Sequence, residues 1–157
     1  MPISVFEMFR IGIGPSSSHT VGPMRAARLF AAELAASGLM PRTARVAVEL
    51  MGSLGATGRG HATDSAAVLG LMGFRPETVD TAAAPALLQE VCASGKLPLA
   101  SEIEGAAPAS VDFNWYRDIV FSPDKVALFH TNAMNLRALD AGGGALMARR
   151  YYSTGVV

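Results

Sequence analysis

ARVAVELMGSLGATGRGHATDSAAVLGLMGF, residues 44–74, passes from a two-residue period through a run of glycines into an apolar segment, and that succession sets the fold class. Ala44, Val46, Val48 and Leu50 alternate with Arg45, Ala47 and Glu49, the pattern of a strand with one face buried. GSLGATGRGH, residues 52–61, holds four glycines and reads as a loop. Thr63 or Asp64 could cap a helix formed by AAVLGLMGF, although Gly70 inside it lowers helix propensity by about 1 kcal/mol relative to Ala.

Upstream, Met1 to Phe9 fits either a short helix or a strand, and GIGPSSSHTVG, residues 12–22, reads as a loop closing on a helix start. Met24, Ala27, Ala31, Leu34 and Ala35 then recur at helical spacing until Gly38. Downstream, Pro85 to Ala93 reads as a helix with Leu87, Leu88 and Val91 on its apolar side, stopped by Gly95. Asp118–Ser122, Lys125–His130, Met134–Asp140 and Ala145–Ser153 read as strands joined by turns, with Gly142–Gly144 at the last hairpin. The expectation is one α+β domain over residues 1–157, with helices packed on a mixed, largely antiparallel sheet.

The 157 residues carry thirteen basic and thirteen acidic side chains, a balance that removes the cationic surplus needed for nucleic acid or an anionic membrane. No run of 18 apolar residues and no secretory leader pattern is present, so the expectation is a soluble cytoplasmic protein. The one cysteine, Cys92, can form neither an internal disulfide nor, alone, a zinc or iron-sulfur site; on an apolar helix it reads as an inert buried thiol. No residue set in this chain is expected to bind metal. Trp115 and Tyr116 read as an anchor for the loop ahead of the strands.

Neither glycine loop fits a nucleotide motif. Gly12 and Gly14 begin a dinucleotide fingerprint, but Ser17 stands where the third glycine is needed. Gly55 and Gly60 are spaced as in a phosphate loop, but His61 and Ala62 follow instead of Lys and a hydroxyl residue. Both loops do place a histidine beside small hydroxyls and backbone amides ahead of a helix: Ser16, Ser17, Ser18, His19 and Thr20 in one, His61, Thr63 and Asp64 in the other. Together they could bind a small carboxylate or phosphate and exchange a proton with it. Taken singly, the serines fit an ordinary helix cap and the histidines ordinary solvated side chains. His130, Asn132 and Asn135 fall in an expected turn. A hydrolase pairing Ser18 with His19 is disfavoured, since adjacent residues at a helix start do not face each other.

GIGPSSSHTVGPM (12–24) and GSLGATGRGHATD (52–64) closely resemble the paired signature of the β domain, or β chain, of bacterial iron-sulfur L-serine dehydratases, and YYSTGVV resembles that family's terminal segment with departures after Ser153. The resemblance spans essentially the whole chain. It implies a fold like the allosteric substrate-binding domain of D-3-phosphoglycerate dehydrogenase. It also implies a partner α domain or α chain whose cysteines hold a 4Fe-4S cluster, one iron of which acts on the substrate hydroxyl as a Lewis acid. This chain would be a β subunit or, as the departing terminus favours, an excised N-terminal domain, inactive alone and dimeric in the complete lyase.

With that reaction in view, His61 is expected as the general base at the α carbon of L-serine, with His19 as the second catalytic histidine and Asp64 as a neighbour orienting His61. His19, Ser16, Ser17, Ser18, Thr20 and Thr63 would hold the substrate, and Gly60 would allow close approach. A serine-sensing domain with an effector near His130, Asn132 and Asn135, or an assembly module, is the competing expectation.

Overall fold

The computed structural model describes residues 21–52, 54, 63–123 and 132–152. The first helical period forms α1 (Val21–Ala36), which buries Met24, Ala27, Phe30, Ala31 and Leu34, and Gly38 follows it at φ +78°. After one 3₁₀ turn, the alternating residues form β1 (Arg45–Gly52) with Val46, Val48 and Leu50 buried. Then follow α2 (Thr63–Met72), α3 (Ala84–Ser94), β2 (Lys96–Leu99), β3 (Ala109–Asp112), the one-turn α4 (Trp115–Asp118), β4 (Ile119–Ser122), β5 (Asn132–Leu139) and β6 (Ala145–Tyr152). Gly95, at φ +68°, closes α3 by donating its N–H to the Val91 carbonyl.

β1 lies inside a mixed six-stranded sheet. It runs parallel to β3 and β4, which follow one another along one of its edges, and antiparallel to β5 along the other. β2 and β6 extend the sheet as antiparallel outer strands. Val46, Val48 and Leu50 pair with Ala138, Leu136 and Met134, so one face of the sheet is a continuous apolar floor beneath the helices. The expected α+β class with helices on a mixed sheet holds.

α1 and α2 lie unusually close. A Cβ at Gly70 would stand 2.3 Å from the Met24 carbonyl oxygen and 2.8 Å from the Ala27 Cβ. The Arg28 Nε donates to the Gly73 carbonyl at 2.9 Å, so the two helices advance in the same sense. The end of α2 is fixed at the far end of the sheet, where Ala100 and Glu102, just past β2, donate their N–H groups to the carbonyls of Leu71 and Met72. Both helices therefore begin towards the end where β1 finishes.

Four details depart from the sequence reading. β2 and β3 were not expected. Asn132 and Asn135 belong to β5 and not to a turn, because β1 continues to Gly52 and pairs there with Asn132. Thr63 and Asp64 lie inside the first turn of α2 and do not cap it from outside. Cys92 is exposed, since α3 turns Ala84 and Val91 inward and the next residue projects elsewhere, and Leu87 is exposed as well. The expected Lys125–His130 strand and the Met1–Phe9 element lie outside the described residues.

Candidate functional site

The register brings the ends of several segments to one end of the sheet: Gly52 pairs with Asn132, Met51 with Ser122, and Ala133 with Tyr152. α2 starts there at Thr63, eleven residues after β1 ends at Gly52, and α1 starts at Val21 directly after the first serine-rich motif. Of the expected site residues, Ser16, Ser17, Ser18, His19, Thr20, Gly60, His61 and His130 lie outside the described residues. Thr63, Asp64, Asn132 and Asn135 are described in the backbone.

Thr63 is completely buried, and its Oγ1 has no hydrogen-bond partner among the described residues. It sits in the first turn of α2, where backbone N–H groups lack intrahelical acceptors and the helix dipole favours negative charge. Asp64 is 1% exposed. Its Oδ1 accepts from the Ser65 backbone N–H at 2.9 Å and its Oδ2 from the indole N–H of Trp115 at 3.1 Å.

Trp115 belongs to a compact knot. Asn114 caps α4, its Oδ1 accepting from the N–H groups of Tyr116 and Arg117. The buried Asp118 carboxylate accepts from the Asn114 N–H at 2.8 Å and from the Arg117 guanidinium, and Arg45 of β1 stands 3.6 Å away. Phe113 meets Trp115 edge to face, with centroids 6.3 Å apart. The expected anchoring role divides between the two aromatics: Trp115 is buried, while Tyr116 is 73% exposed.

Cys92 and Trp115 line a shared cavity of about 350 Å³. Partial desolvation pushes the Cys92 thiol above its ordinary pKa, and the Asp64 carboxylate adds to the shift. That electrostatic effect reports the negative charge of Asp64 at a distance.

Asn135 faces the opposite side of the sheet. Its Nδ2 donates to the Glu49 Oε1 at 2.9 Å, its Oδ1 accepts from the Arg150 Nε at 2.8 Å, and the Ser122 hydroxyl donates to the Glu49 Oε2. This chain of bonds crosses β4, β1, β5 and β6 and engages both ends of the Asn135 amide. Sequence reasoning missed the Asp64–Trp115 and Asp118–Arg45 pairs; the single available hint was Asn114, a capping residue immediately ahead of the only tryptophan.

A model of the serine dehydratase beta chain family matches residues 4–156. The chain is 47% identical over 155 residues to an L-serine dehydratase of Streptomyces coelicolor, covering 99% of this chain and 33% of that protein. It is 46% identical over 153 residues to L-serine dehydratase TdcG of Escherichia coli, covering 98% of this chain and 32% of that protein. Over 152 residues, 97% of this chain and 31% of the relative, it is 37% identical to an L-serine dehydratase of Helicobacter pylori. The chain thus spans about a third of the length of these curated relatives.

Proposed function

Because the chain belongs to the serine dehydratase beta chain family, we propose that it supplies the substrate pocket and the proton-transfer groups for conversion of L-serine to pyruvate and ammonia. It would do so as a β subunit or as the N-terminal domain of a longer polypeptide, in the cytoplasm and as part of a dimer. The observation that carries this reading is the Thr63 hydroxyl, buried at a helix start with no partner among the described residues. A buried hydroxyl left in that state is unfavourable by about 1–3 kcal/mol. A substrate carboxylate seated there would accept from Oγ1 and face the positive end of the α2 dipole.

His61 stands two residues ahead of Thr63 in the sequence. On this reading His61 takes the α proton of a substrate held at the helix start, a task its imidazole is suited to near neutral pH. Asp64 orients this turn. His19 with Ser16, Ser17, Ser18 and Thr20, directly ahead of α1, would hold the substrate carboxylate and ammonium, and Gly60 would admit close backbone approach. Once the α proton and the β hydroxyl have left, the aminoacrylate tautomerises and hydrolyses to pyruvate and ammonia.

The 4Fe-4S cluster implied by the family does not fit this chain. A cluster with one iron left open to the substrate needs three thiolates where the sequence has one cysteine, and among the described residues no three His, Cys, Asp or Glu side chains converge to hold a metal. The cluster would be held by the partner α region, and none of the steps assigned to this chain passes through it. No described helix is long and apolar enough to cross a membrane.

The test is His61→Ala in the chain assembled with its α region. Turnover should fall about 10²–10⁴-fold while L-serine still binds. Undiminished turnover would overturn the assignment, and pyruvate release by the isolated chain would overturn the division of labour.

A further inference from the structure

We propose that Trp115 is a positioning residue for the reaction, acting through Asp64. This inference rests on the reading of His61 as the base and extends it to a residue 54 positions away in sequence. The indole N–H donates at 3.1 Å to a carboxylate that is itself in the first turn of α2, three residues beyond His61. Both partners are buried, so water does not readily take over the bond if one of them is removed.

The donor is held rigidly from the other side. Trp115 opens the one-turn α4, which Asn114 caps and Asp118 ties to Arg45 at the start of β1. Phe113 fixes the indole plane by its edge-to-face contact. β4, which continues directly from α4, pairs along β1 from Val48 to Met51, the residue before β1 ends at Gly52. The chain thus enters the second signature motif from a strand braced by β4 and leaves it at a helix turn braced by Trp115. A ring nitrogen bonded to a carboxylate sets the direction of that carboxylate, and a misplacement near 1 Å at a reacting centre lowers rates by up to about 10²-fold.

The experiment uses the assembled enzyme with the variants Trp115→Phe, Asp64→Leu and the two combined, with Phe113→Leu as the packing control. W115F should lower kcat about tenfold and leave KM within about twofold, because the indole does not touch substrate. The double variant should be no slower than D64L alone, since leucine offers the indole no acceptor and both changes remove the same bond. F113L, which disturbs the packing and keeps the N–H, should lower the melting temperature without that loss of kcat.

A second measurement needs no turnover. Trp115 is the only tryptophan in the chain, so fluorescence of the isolated chain reports the surroundings of the indole, and D64L, which removes its acceptor, should shift the emission maximum. An unchanged emission maximum, a full kcat in W115F, multiplicative losses in the double variant, or an equal loss in F113L would each overturn the proposal. If H61A also kept full turnover, the acid-base reading itself would fall; if H61A is dead and W115F is unaffected, the role of Trp115 alone is refuted.

Discussion

Gly70 of α2 stands so close to Met24 of α1 that a Cβ there would lie 2.3 Å from the Met24 carbonyl oxygen. The residue that weakens the helix by local propensity is the one that permits the two helices to touch. Gly70→Ala should therefore destabilise the fold by about 1–3 kcal/mol despite its better helix propensity, because a backbone oxygen cannot move aside as a flexible side chain could. Thermal melting checks this: a fall of several degrees is expected, and an unchanged or raised midpoint would show that the helices separate without penalty.

Asp118 joins α4 to β1. Its carboxylate is 3% exposed and accepts from the Asn114 N–H and the Arg117 guanidinium while facing Arg45. Asp118→Ala strands the Asn114 N–H and leaves the buried Arg45 Nε without its counter-charge. A loss of about 2–4 kcal/mol is expected, measured by denaturant unfolding. Arg117→Ala should lose well under 1 kcal/mol, since that arginine is half exposed.

These two pairs show what the sequence could and could not reveal. α1, β1, α2 and α3 were legible because hydrophobic period and glycine stops are local signals. β2 and β3 were not, since KLPL and ASVD are four residues each and Pro98 lies within the first. That proline is tolerated because β2 is an outer strand and need not donate on both sides. Asn132 looked like a turn residue by propensity, and its eight-residue pairing with β1 prevailed. In the candidate site, His19, His61 and their hydroxyl neighbours announce themselves by motif. The Asp64–Trp115 bond joins residues 51 apart, and no local spacing encodes it.

Cys92 provides a pH test. Desolvation and then the Asp64 charge raise its pKa, so at any pH below that value the thiolate fraction is smaller than for an ordinary thiol. D64N removes the second cause, and alkylation of Cys92 near pH 8 should accelerate. The sign for stability follows from the same shift. The folded state holds this proton more tightly than the unfolded state, so the associated stability is present below the ordinary thiol pKa and is lost as pH rises through the raised one. Equal alkylation rates in wild type and D64N across pH 7–10 would show that Asp64 exerts no field at the thiol.

Thr63 offers the sharpest separation of stability from function. Its hydroxyl is buried without a partner among the described residues, so Thr63→Val, which keeps the shape and removes the oxygen, should stabilise the chain by about 1 kcal/mol and raise the melting temperature by roughly 2–4 °C. The same change takes away a donor to the substrate carboxylate. In the assembled enzyme KM for L-serine should rise about tenfold or more, the loss expected for one hydrogen bond to a charged group. Thr63→Ser restores the donor and should restore KM. Opposite signs of the two effects distinguish a hydroxyl kept for a ligand from one kept for the fold: a T63V variant that melts lower and binds L-serine normally would assign Thr63 to structure and remove the main support for placing the substrate at the start of α2.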